Sequence, residues 1–121
     1  MILVDSSVWV DHLRAGDPAL ADLLSAGQVL AHPFVIGELA LGNLRQRDIV
    51  LGALKGLPQA IVADDGEMLD FIDRNALPGL GIGYVDAHLL ASAKLSTGTL
   101  WTRDKRLHGA AQRLGIAARA A

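Results

Sequence analysis

The sequence predicts an α/β fold: a single domain with a mainly parallel β-sheet flanked by helices. Short apolar, β-branched runs alternate along the chain with segments of helical periodicity, and most of these runs stop at residues that favour helix starts. Size supports the same reading, because 121 residues at 12.7 kDa suffice for one ordinary core and are too few for two, so residues 1–121 are expected to share one scaffold.

Ile2-Leu3-Val4 has the character of a buried parallel strand and ends at Asp5-Ser6-Ser7, all good helix caps ahead of Val8, Trp9 and Leu13. Asp17-Pro18 supplies a cap and a first-turn proline, Leu20, Leu23 and Leu24 form the stripe, and Gly27 closes that helix. A second strand is expected at Gln28 to Ala31. Pro33 then opens a helix through Leu41, and Arg45 to Gly56 reads as another. Ala60 to Ala63 is expected to be a third short strand, and Asp64 with Glu67 has capping-box spacing before Met68, Leu69, Phe71 and Ile72. The Gly-rich stretch Pro78 to Gly83 is a loop, Tyr84 to Leu95 a strongly apolar helix, Thr99 to Thr102 a strand, and Lys105 to Leu114 a helix ended by Gly115. Ile116-Ala117 is expected to add an edge strand, and the Ala-rich end to fray.

Composition removes whole classes of function. A hydrophobic share of 51% with a mean hydropathy of +0.34 excludes intrinsic disorder. The absence of cysteine excludes disulfide scaffolds, zinc knuckles, iron–sulfur clusters and thiol nucleophiles. No apolar run approaches a bilayer span, and Met1 is followed at once by Ile2-Leu3-Val4 and an acid, without the basic start of a signal peptide. A soluble cytoplasmic protein with no membrane partner is expected. The net charge of −2 conceals an asymmetry: residues 94–121 hold six of the 11 bases and only Asp104 of the 13 acids. A solvated basic helix would explain that as readily as a phosphate-binding surface.

In a doubly wound sheet, ligands bind beyond the carboxyl ends of the strands. Asp5, Asp86 and Asp104 all fall near predicted helix starts, and each alone is explained as a cap. Glu38 is different. It lies inside a helix with Phe34, Val35, Leu41 and Gly42 one turn away and no base among them. An acid in such surroundings either points outward or is paired, protonated or bound to a cation. If the four acids converge, they repel one another unless a positive charge stands between them. All-oxygen ligands suit a hard divalent cation, Mg²⁺ or Mn²⁺. Such an ion activates water and neutralises phosphoryl charge, which is the chemistry of phosphodiester hydrolysis, and Arg103, Lys105 and Arg106 beside Asp104 could hold a nucleic-acid backbone.

Four segments carry a resemblance. Ile2-Leu3-Val4-Asp5-Ser6-Ser7-Val8-Trp9, Ile36-Gly37-Glu38-Leu39, Tyr84-Val85-Asp86-Ala87-His88 and Leu100-Trp101-Thr102-Arg103-Asp104-Lys105-Arg106-Leu107 together resemble, in order and spacing over the whole chain, the PIN-domain ribonucleases, and specifically the VapC toxins of toxin–antitoxin pairs. The resemblance implies a metal-dependent endoribonuclease that cleaves RNA and is neutralised by a VapB-type antitoxin occupying its groove. It also implies a homodimer and a toxin–antitoxin hetero-oligomer. By position it assigns catalysis and metal binding to Asp5, Glu38, Asp86 and Asp104, with Ser6, Ser7 and Thr102 as supporting hydroxyls. The basic C-terminal segment then becomes one wall of an RNA groove. His12, His32, His88 and His108 are read as surface or groove residues rather than ligands, and Trp9 and Trp101 as packing residues.

Rival folds with acidic sites fit less well. A phosphoacceptor receiver domain would need paired acids after the first strand, and a haloacid-dehalogenase phosphatase would need a second acid where Ser7 stands. A binding-only module of the same fold would lack the four acids.

Overall fold

A computed structural model describes residues 1–119; the extreme of the Ala-rich end, where fraying is expected, lies outside the described residues. Three short parallel strands, β1 (Ile2–Val4), β2 (Val29–Leu30) and β3 (Thr99–Trp101), form a sheet in the order β2-β1-β3. Ile2 pairs with Val29 on one side and Thr99 on the other, and Leu3 with Leu30 and Leu100. The chain thus leaves β1, adds a strand on one side, and returns to add the next on the other. Between β1 and β3 lies the switch point, the place beyond the strand ends at which sheets of this kind bind ligands.

Seven helices cover this sheet among the described residues: α1 (Ser6–Ala15), α2 (Pro18–Ser25), α3 (Pro33–Ala40), α4 (Arg47–Lys55), α5 (Asp65–Arg74), α6 (Tyr84–Leu95) and α7 (Lys105–Arg113). Their starts follow the expected chemistry. Asp5, Asp17, Asp64 and Asp104 each accept a main-chain N–H as helix caps, and Asp64 with Glu67 closes a reciprocal capping box. α6 is the central helix: Ala87 through Ala93 are all buried, which a helix of mostly small and aliphatic residues can achieve without leaving charges unpaired. Leu3, Val4, Val8, Leu89, Leu90, Leu100 and Leu107 bring the sheet and the helices α1, α6 and α7 into one core.

Two expected strands are single bridges. Residues 60–63 form no ladder: the chain beyond β2 turns into α3 and offers Ala31, whose bridge is to Gln59, just before them. The Ile61 amide instead donates to Ser96 Oγ at 2.9 Å. Ile116-Ala117 likewise contributes one bridge, between Ala117 and Leu100, rather than an edge strand. The helix expected from Arg45 begins at Arg47, after Gln46 in a left-handed conformation.

His32 and His88 correct the expectation of surface or groove histidines, since both are buried. His32 Nδ1 accepts the Phe34 N–H at 3.0 Å, capping α3 as an Asp or Asn would, and its Nε2 lies 3.0 Å from the buried Ser92 hydroxyl of α6. With Nδ1 an acceptor, the proton belongs on Nε2. Burial, reinforced by the charge of His88, pushes the His32 pKa down to about 4. His88 stands between the edge-on rings of Phe34 and Tyr84, each with its centroid 4.7 Å away.

Candidate active site

Asp5 is the hub of a hydrogen-bond network at the β1/β3 switch point. Its own main chain continues the sheet, the Asp5 N–H donating to Trp101 O at 2.9 Å, and its side chain is nearly enclosed. Oδ1 accepts from the Ser6 N–H at 2.8 Å. Oδ2 accepts from Ser7 Oγ at 2.9 Å and from Thr102 Oγ1 at 2.7 Å. Each hydroxyl is oriented by an amide behind it: Ser7 Oγ accepts from Arg103 N–H at 3.0 Å, and Thr102 Oγ1 from Asp104 N–H at 3.1 Å. With both protons directed at Asp5, the 3.4 Å approach of the two hydroxyls is a contact rather than a further bond.

The other acids sit on separate elements, and Glu38 is joined to this hub through Ser6. Ser6 Oγ donates to Glu38 Oε1 at 3.3 Å, linking α3 to the end of β1. Glu38 lies on the open face of α3, beside Gly37, where an added Cβ would meet nothing within 4 Å. It therefore takes the outward position that its apolar sequence neighbours left open, but the outward direction is toward Asp5. Asp86 occupies the third position of α6 and accepts the Gly83 N–H at 3.3 Å. Asp104 caps α7, its Oδ1 accepting the Leu107 N–H at 3.0 Å.

Electrostatics show which carboxylates feel one another. Partial desolvation pushes the Glu38 carboxyl up, the charge of Asp5 adds to it, the Ser6 hydroxyl opposes it, and Asp86 raises it further. Desolvation likewise pushes Asp86 up, opposed by the Gly83 amide and reinforced by the charges of Asp5 and Asp104. Such shifts between like charges need short separations. Among the described residues, the acids do not close into a finished cage of three metal-binding groups. Their donor chemistry, carboxylate and hydroxyl oxygens with no sulfur, nonetheless fits a hard cation. Their mutual repulsion is the penalty such a cation would relieve.

The PIN domain signature matches residues 2–112. The chain belongs to the PIN-domain family. This PIN domain is 51% identical over 118 residues to ribonuclease VapC32 of Mycobacterium tuberculosis, strains CDC 1551 and H37Rv, the match covering 97% of this chain and 95% of each relative. Solved structures share its fold at low identity. FitAcB from Neisseria gonorrhoeae superposes with a TM-score of 0.61 at 20% identity, over 97% of this chain and 95% of that one. FitAB bound to the IR36 DNA fragment gives 0.62 at 19%, over 97% and 92%.

The basic residues of this PIN domain divide into two groups. Arg103, expected at the RNA, instead turns its guanidinium to Asp11 of α1 and Asp17 at the start of α2. Arg113 donates to the carbonyls of Asn75 and Ala76 at 2.7 and 2.9 Å, pinning the end of α5. Lys105 and Arg106 are exposed in the first turn of α7, with the Arg106 guanidinium lying over Gly81 of the Gly-rich loop. The cap role of His32 has a signal in the sequence: Pro33 fixes a helix start, making residue 32 the cap position. The Arg103 contacts have none, because residues 11, 17 and 103 meet only in the folded chain. No helix among the described residues is long and apolar enough to cross a membrane.

Proposed function

We propose that this PIN domain is the toxin of a type II toxin–antitoxin pair, a Mg²⁺- or Mn²⁺-dependent endoribonuclease that hydrolyses RNA phosphodiester bonds in the cytoplasm. The observation that supports the reading is the link through Ser6 at the switch point: its N–H donates to Asp5 and its hydroxyl to Glu38, with Asp86 within electrostatic reach of Asp5. A relative named as a ribonuclease, at 51% identity over nearly the whole chain, supports RNA as the substrate.

Asp5, Glu38, Asp86 and Asp104 are the residues that would hold the cation, Asp104 directly or through water. Bound there, it would supply charge for a phosphoryl oxygen and lower the pKa of a water. The chain's own groups do the positioning. Ser7 and Thr102 hold Asp5 at one orientation, both hydroxyls donating hydrogen bonds to its Oδ2. Ser6 ties Glu38 to the same centre. Lys105 and Arg106, unpaired by any acid within salt-bridge distance among the described residues, face solvent where they can attract a phosphate backbone.

The partners in this reading are RNA, a VapB-type antitoxin and a second copy of the chain. Purified protein should cleave RNA with Mg²⁺ or Mn²⁺, lose that activity in excess chelator, and regain it when the cation is restored. Undiminished cleavage in chelator would rule out the metal mechanism.

A further inference from the structure

Arg103 stands between Thr102, which donates to Asp5, and Asp104, which caps α7. We infer that Arg103 is a positioning residue for the hydrolytic site, gripping one face of α1 through its main chain and its side chain so that Thr102 meets Asp5 with Asp104 held against Thr102. The inference rests on the ribonuclease reading for its functional meaning, and on contacts alone for its structural meaning.

The geometry is a two-point grip. The Arg103 N–H donates to Ser7 Oγ at 3.0 Å, while its guanidinium pairs with Asp11. Ser7 and Asp11 are four residues apart on α1 and therefore lie on the same face, one turn from each other. Two attachments on one face fix both the position and the direction of the loop after β3. A third contact, from the guanidinium to Asp17, brings in the start of α2. Asp17 is itself immobilised, since its Oδ1 accepts the Leu20 N–H at 3.0 Å and its own N–H donates to His12 Nδ1 at 2.9 Å. Arginine suits the task because its planar fork can satisfy two carboxylates from fixed directions, which a lysine ammonium cannot do with equal definition.

The consequence reaches Asp5 through one atom. Ser7 Oγ, held from behind by the Arg103 amide, donates to Asp5 Oδ2, the oxygen that also accepts from Thr102. If the loop shifts, that oxygen loses the alignment of both donors, and the capping carboxylate of Asp104 moves with it. A misplacement on the order of 1 Å can cost roughly a hundredfold in rate.

The rival role for Arg103 is a direct contact to an RNA phosphate, and Asp11→Asn separates the two. Positioning requires that removing the Asp11 charge slow the reaction although Arg103 is intact. A phosphate contact requires the opposite, because a freed guanidinium and one fewer acid should tighten RNA binding. Wild type, Arg103→Ala, Arg103→Lys and Asp11→Asn are compared in Mn²⁺-supported cleavage of a mixed-sequence fluorogenic oligoribonucleotide, and by amide hydrogen exchange in metal-free protein. The expected result is a kcat roughly ten- to a hundredfold lower for Arg103→Ala and Asp11→Asn at nearly unchanged KM, with Arg103→Lys between them and wild type. The Arg103 and Asp104 amides should exchange several-fold faster in both variants. Unchanged exchange, or a lower KM with wild-type kcat in Asp11→Asn, overturns the inference. A wild type that leaves RNA uncut in Mn²⁺ refutes the ribonuclease reading instead, and the exchange rates still decide whether Arg103 holds the loop.

Discussion

Asp5 and Asp86 carry the same charge but should respond differently to amidation. Asp5 Oδ2 accepts hydrogen bonds from two hydroxyls whose oxygens in turn accept from the Arg103 and Asp104 amides. Asp5→Asn can put its carbonyl oxygen at only one of the two positions, so its NH₂ faces either the two hydroxyls or the Ser6 N–H, and at least one donor is left without an acceptor. Asp86 accepts only one long bond from the Gly83 amide and is repelled by Asp5 and Asp104, so Asp86→Asn loses little and relieves repulsion. We predict that urea denaturation shows Asp5→Asn less stable by about 1–2 kcal/mol and Asp86→Asn within about 0.5 kcal/mol of wild type, while both abolish RNA cleavage. Glu38 shows how far sequence reasoning reaches at this scale. Its lack of a base one turn away marked it as unexplained by local structure, but its bond to Ser6 joins residues 32 positions apart, which periodicity cannot reveal.

Between elements, His32 joins α3 to α6, and its protonation state matters to both. Its folded pKa of about 4 lies below the ordinary value of 6.5, so the unfolded chain takes up the proton first as pH falls. The stability contributed by neutral His32 is present above about pH 6.5 and is lost as pH falls toward 4. Glu38 and Asp86, with raised values, act in the opposite sense, gaining relative stability as pH falls through the window above their ordinary range. We therefore predict that wild type loses more stability between pH 7 and 5 than His32→Asn, which keeps a cap acceptor but cannot titrate; equal slopes would count against the assignment. At the start of β3, a Cβ on Gly98 would stand 2.6 Å from the Met1 carbonyl oxygen. Gly98→Ala must push β3 away from the start of β1, and should lower stability by about 1–3 kcal/mol in thermal or urea unfolding. Gly98 was not singled out in the sequence, because the obstructing atom belongs to the other end of the chain.

For the molecule as a whole, the basic C-terminal segment does less at its surface than its charge suggests. Arg103 and Arg113 are committed to Asp11, Asp17 and the end of α5, which leaves Lys105 and Arg106 as the exposed cations next to Asp104. A protein contacting few phosphates has a shallow dependence of RNA affinity on salt. Lys105→Ala and Arg106→Ala should each flatten the slope of log K against log salt by about 0.7, measured by fluorescence anisotropy with single-stranded RNA and Asp86→Asn protein. Arg103→Ala should leave that slope nearly unchanged.

The sequence by itself determined the α/β class, the helix starts and the core, because capping chemistry and apolar periodicity act within a few residues and survive any tertiary arrangement. It also pointed to Asp5, Glu38, Asp86 and Asp104, through four short segments that resemble the PIN family, whose signature matches residues 2–112. Tertiary structure alone decided whether residues 60–63 and 116–117 had strands to pair with, since a strand exists only where a neighbour offers a ladder. It alone buried His32 and His88, and it alone turned Arg103 from a free cation into the link between α1, α2 and the loop after β3. Each of these depends on which distant segment arrives alongside, and that is set by the packing of the whole chain rather than by any window of it.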